Sequence, residues 1–168
     1  MRPALLLALL LPLPLLAADP TPEIRRDAVK PQAAGAVHTL RTIPEACARL
    51  EGLFTGKAGE PYKFAVVRTS PGCQARARIV DAAKAKPSER GGWKFNDLIR
   101  VPNAACPSQQ AVVRVWRKPA AAAPPQLDAQ GRSRIYLKDA TAKAKAQGAS
   151  NVPVYAAVMA VEGKTCGG

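Results

Sequence analysis

The stretch Ala111-Val112-Val113-Arg114-Val115-Trp116-Arg117-Lys118 decides how this chain reads. As a strand, its period of two puts Val113 and Val115 on one face and Arg114, Trp116 and Lys118 on the other. Ser133-Arg134-Ile135-Tyr136-Leu137-Lys138 repeats the alternation, with Ile135 and Leu137 against Arg134, Tyr136 and Lys138. Each strand then offers an aliphatic face to a core and an opposite face that runs basic, aromatic, basic. Rings between cations suit a ring-bearing or polymeric anion, because the rings stack on flat groups while the cations meet the charge. Arg114, Trp116, Lys118, Arg134, Tyr136 and Lys138 are therefore the candidate ligand-binding set. The plainer reading makes them half-buried sheet residues flanked by solvated cations. If the two strands were antiparallel neighbours, Arg114 would lie near Lys138 and Lys118 near Arg134. That repulsion, on the order of a few tenths of a kcal/mol per pair, is one a bound anion would relieve.

Outward from this centre, the segment between the two runs, residues 119–131, holds a run of alanines, Pro124-Pro125 and Gly131, and reads as a Pro/Ala-rich loop. Downstream, Val152, Val154, Tyr155, Val158, Met159 and Val161 predict an apolar strand central in the sheet. Upstream, Trp93 to Val101 predicts an irregular strand. Residues 62–69 and 74–81 predict a hairpin closed at Ser70-Pro71-Gly72-Cys73, where Pro presets the first turn dihedral and Gly accepts a positive one. Two Lys- and Ala-rich tracts, after Asp81 and after Asp139, predict a turn or two of helix capped by the Asp.

Thr42-Ile43-Pro44-Glu45 has the spacing of a helical capping box. Ile43, Ala46, Cys47, Leu50, Leu53 and Phe54 follow at helical intervals, so an amphipathic helix is expected here, ended by Gly52 and Gly56. Residues 19–37 carry Pro20, Pro22 and Pro31 with little apolar periodicity and read as a flexible leader. Before them, Arg2, an apolar run from Ala4 to Leu16 and the small pair Ala17-Ala18 read as a cleaved signal peptide over residues 1–18. That run falls short of the roughly 20 apolar residues that span a bilayer. The first cysteine is Cys47, too distant to carry a lipid anchor. The expected mature chain is thus one globular domain, residues 38–168, behind the leader, in the periplasm or outside the cell.

Cys47, Cys73, Cys106 and Cys166 are an even set with no C-x-x-C pair, which in an exported chain favours two disulfides over zinc. Pairing chain neighbours gives Cys47–Cys73 and Cys106–Cys166, each stabilising by about 3 to 4 kcal/mol in the loop-entropy picture. Such staples matter in a chain with only 2 Trp, 3 Tyr and 3 Phe for its core. The fold class expected is α+β: one N-terminal amphipathic helix and a twisted, mainly antiparallel sheet of about five strands, stapled by the two disulfides.

The 25 Lys and Arg against 12 Asp and Glu fall, without Arg2, to 24 against 12, a net charge of +12. This balance favours a polyanion or an acidic protein as partner. The one histidine, His38, stands at the edge of the leader, away from any nucleophile motif. Phosphate-loop, dinucleotide-turn and His-rich metal motifs are missing, so neither a metal nor another cofactor is expected. Glu89, Asp97 and Asp128 are the carboxylates that folding could bring together. The reading is an exported, non-catalytic binding or interaction protein. The alternatives are a small secreted hydrolase with an unfamiliar site, or an accessory or inhibitory protein for an acidic partner.

Overall fold

A left-handed backbone at Cys47, φ 52°, decides the N-terminal third of the chain. The computed structural model describes residues 19–120, 129–130, 137–147 and 152–166. In it β1 (His38–Ile43) enters one 3-10 turn at Pro44–Ala46, reverses at Cys47 and returns as β2 (Ala48–Phe54). No N-terminal helix forms, which corrects the expectation from the capping-box spacing. Residues 48–54 also alternate: Ala48, Leu50, Gly52 and Phe54 are buried, and Arg49, Glu51 and Leu53 are half-buried. Arg49 pairs with Glu51 at 2.5 Å, a spacing of two that only an extended chain puts on one face. Strands on both sides of β2 satisfy its backbone, and this tertiary pairing overrides helical periodicity.

The fold is mostly β, not α+β with about five strands. A three-stranded sheet has the order β1-β2-β3, with β3 at Tyr62–Arg68. A four-stranded sheet has the order β4-β7-β6-β5, comprising β4 (Arg78–Val80), β5 (Lys94–Asn103), β6 (Cys106–Lys118) and β7 (Val154–Gly163). Helices are limited to α1 (Ala82–Ala85) and α2 (Leu137–Gln147) among the described residues. Asp81 caps α1 by accepting from the Ala83 N–H. No described helix is long and apolar enough to cross a membrane.

The expected hairpin of residues 62–69 and 74–81 also gives way. The turn at Ser70 to Cys73 forms, with the Cys73 N–H donating to the Ser70 carbonyl at 3.3 Å. Its two arms then part: β3 pairs with β2, and β4 runs parallel to β7. The Cys47–Cys73 disulfide holds this turn to the β1–β2 reversal, and Cys106–Cys166 ties the end of β7 to the start of β6.

The inner faces of both sheets share one core. Leu40, Ile43, Leu50, Phe54 and Tyr62 come from the first sheet, and Ile99, Val101, Ala111, Val113, Val115 and Tyr155 from the second. Residues 19–37, read as a leader, lie extended beside this core. The Glu23 and Ile24 amides donate to the Phe95 and Asn96 carbonyls, each at 2.9 Å, and Ala34 bridges to Phe54 of the other sheet.

Candidate functional site

The outward face of β6 carries the first half of the candidate set. Cross-strand registration aligns Leu98, Arg114 and Val158 in one row and Phe95, Trp116 and Ala156 in the next. Opposed residues in a sheet share a face, so Arg114 and Trp116 are outward neighbours while Val113 and Val115 are fully buried.

Arg114 is already engaged. Its Nε donates to Asp19 Oδ1 at 2.9 Å, and its Nη2 donates to Asp19 Oδ2 at 2.8 Å and Glu162 Oε1 at 3.0 Å. Arg100 Nη1 donates to the other Glu162 oxygen at 3.0 Å. The hydrogen bonds from Arg114 hold the Asp19 and Glu162 carboxyls below their ordinary values. Arg117 is likewise committed, its Nη2 donating to Glu23 Oε1 at 2.7 Å, which lowers Glu23 in turn. The face expected to be free and basic is therefore neutralised around Arg114 by carboxylates of residues 19–23 and of β7.

Trp116 is different. Its ring packs on Phe95 with centroids 4.9 Å apart, and its cross-strand partner on β7 is the fully buried Ala156. The indole reaches past this small side chain to a groove of about 540 Å³ between β7 and α1. Ala157, Val158 and Met159 line it from β7, Lys86 and Pro87 from the end of α1, and the capping Asp81 from its start. Three consecutive residues of one strand can line one groove only where the groove meets the strand's edge, since alternate side chains point to opposite faces. Among the described residues that edge is open because β4 is short: it pairs with residues 154–156 of β7, and α1 then leads the chain away. Lys84 and Lys86 are exposed, and no ion pair among the described residues uses them. Lys118, exposed, lies two residues beyond Trp116 on the same face.

Of the remaining candidates, Arg134 and Tyr136 lie outside the described residues, as does most of the 119–131 loop. Leu137 and Lys138 open α2, so the second alternating run does not continue as a strand to its end. The neighbours of β6 are β5 and β7, and the imagined opposition of Arg114 to Lys138 does not arise.

A second polar cluster joins the two sheets. Asp97, fully buried, accepts from Arg26 Nε and Nη2 at 2.7 to 2.9 Å and lies 3.3 Å from Arg41. Arg41 also donates to Asn96 Oδ1 at 2.5 Å and stands 5.9 Å over the Tyr155 ring. Burial lowers the Arg41 pKa. Asn96 in turn donates to Glu23 at 2.8 Å. Every buried side-chain polar atom among the described residues is satisfied, and this cluster reads as a structural clasp, not a reactive site. Neither Glu89 nor any other carboxylate bonds to Asp97 among the described contacts. The alternation carried a signal for the clasp: Asp97 occupies the same inward phase as Ile99 and Val101. Lys86 carried no such signal, since only the short β4 brings it to Trp116.

His38 is half-buried. Its Nε2 accepts from the Tyr62 hydroxyl at 2.7 Å and its Nδ1 donates to the Ala36 carbonyl at 3.1 Å. No group of three His, Cys, Asp or Glu able to hold a metal occurs among the described residues. No family model, curated protein or solved structure matches this chain.

Proposed function

We propose that this chain is an exported, non-catalytic binding protein that holds an anionic ligand or partner at Trp116. The observation that carries the reading is the pairing of Trp116 with the unengaged Lys86 across one open groove. The indole supplies a flat apolar floor and Lys86 supplies charge in the groove, with the exposed Lys84 and Lys118 close to it along the chain. Arg114 acts one step back, held by Asp19 and Glu162. Export is supported by the signal-like residues 1–18 and by two disulfides, which persist in an oxidising compartment. The same features support a periplasmic or secreted location.

The test is direct binding by the purified, oxidised protein carrying Trp93→Phe, so that Trp116 is the reporting fluorophore. Single-stranded DNA, lipopolysaccharide, an acidic glycan and an acidic polypeptide are titrated across a salt series. Saturable binding of one of them that is lost in Lys86→Glu while the fold persists is expected. Weak binding to all, decaying alike with salt and indifferent to Lys86 and Trp116, would refute the proposal.

A further inference from the structure

The groove has a feature beyond its charge: one wall is a strand edge that no other described residue pairs with beyond β4. We infer that the edge of β7 at residues 157–161 takes up an extended, acidic polypeptide segment as an additional strand. The inference rests on the Trp116 groove being the ligand site and names the ligand's class.

Three observations carry it. The outer edge of β7 is already a pairing edge, because β4 bonds to it in parallel at residues 154–156 and leaves its continuation open. The Ala157 N–H is taken up by Val80 at the end of the parallel ladder, and no backbone hydrogen bond among the described residues occupies Val158 to Val161 on that side. Their alternate N–H and C=O groups therefore point at the groove, and a strand edge is satisfied most fully by another extended chain. The edge is also apolar, with Val158 42% exposed and Ala157 and Met159 partly covered. Its flanking charge comes from Lys84 and Lys86; the one carboxylate among the groove's described lining residues, the exposed Asp81, accepts from the Ala83 N–H at 2.9 Å as the cap of α1. A guest that alternates apolar and acidic residues matches both: apolar side chains meet Trp116 and Val158, and carboxylates meet the lysines. A phosphate polymer would satisfy the lysines but leave the amides of β7 unpaired.

The probe is the blocked decapeptide of alternating Glu and Val, mixed with the oxidised protein and followed by amide hydrogen exchange. Two further peptides carry N-methyl groups on all valines or on all glutamates. Expected is a slowing of about tenfold or more at the Met159 and Val161 amides. One methylated peptide should retain binding and the other lose it, because a strand offers its neighbour alternate N–H groups only. Quenching of Trp116 by the peptide without slowing at β7 would overturn the strand and leave the anionic groove intact. Binding of single-stranded DNA or lipopolysaccharide at Trp116 with no binding of the peptide would do the same. Protection of residues 157–161 that rises with protein concentration alone would assign the edge to a second copy and overturn the guest. Silence of Trp116 toward every probe would overturn both this inference and the reading beneath it.

Discussion

Arg26 grips Asp97 with both Nε and Nη2 across 71 residues of sequence, at a carboxylate with no exposed surface. The pair fastens the N-terminal segment to β5, and Arg41 approaches the same carboxylate from β1. Replacing Asp97 by Ala would leave Arg41, 12% exposed, facing Arg26 without a counter-charge. Breaking a buried pair from one side costs about 3 to 5 kcal/mol. Denaturant unfolding of Asp97→Ala should show that loss. Arg26→Ala, which spares the buried partner pair, should show less.

Gly52 of β2 stands directly under Tyr62. A Cβ there would fall 1.7 Å from the Tyr62 hydroxyl and 2.9 Å from His38 Nε2. Tyr62 is held by His38 at 2.7 Å and by the Phe54 ring at a centroid distance of 4.7 Å, so it has little room to retreat. Gly52→Ala should destabilise by about 1 to 3 kcal/mol through overpacking, read as a lowered Tm.

Cys47 combines a disulfide with a left-handed backbone. Removing the bond should cost about 2 to 5 kcal/mol, but the replacement residue matters. Glycine adopts a positive φ freely, whereas other residues give up about 1 to 2 kcal/mol there. The double variant Cys47→Gly with Cys73→Ala should therefore exceed Cys47→Ala with Cys73→Ala in stability by about 1 kcal/mol. Equal stability would argue that the turn relaxes once the bond is gone.

Acid should loosen residues 19–24 before the sheets. The carboxyls of Asp19, Glu23 and Glu162 are lowered chiefly by hydrogen bonds from Arg114 and Arg117. A group with a depressed folded value contributes stability that is complete above its ordinary value and lost as pH falls through the folded one. The window therefore lies below the ordinary values of 3.8 for Asp and 4.5 for Glu. Protection factors at the Glu23 and Ile24 amides should drop there, while those of β6 persist. Salt should mimic part of the effect, since these pairs are partly exposed.

The alternation of residues 111–118 placed Val113 and Val115 inward and Arg114 and Trp116 outward because burial on one face fixes register. The apolar run around Tyr155 was legible as a strand for a related reason. Residues 48–54 were not, because Leu50 and Phe54 satisfy helical spacing and period two together. What separates the two is the reversal at Cys47 and the partners on either side of β2, which are contacts of the folded chain. The parting of β3 from β4 was hidden likewise, since the turn between them is locally sound and its arms choose distant partners. Charge carried the same lesson: Arg114 reads as a free cation until Asp19, 95 residues away, is set against it. The groove beside Trp116 was only half legible, its aromatic floor visible in β6 and its lysine wall not.

The extended N-terminal segment has a consequence for the order of assembly. Its clasps reach forward by 71, 94 and 95 residues, to Asp97, Arg117 and Arg114. The segment must therefore wait for strands synthesised much later, and such distant closures slow folding. The segment then acts as a latch that closes over a nearly finished sheet. Contacts formed after the rate-limiting step govern how fast a protein comes apart. Weakening the latch at Asp19 or Arg26 should quicken unfolding and leave the refolding rate almost unchanged, which stopped-flow kinetics of the two variants would measure.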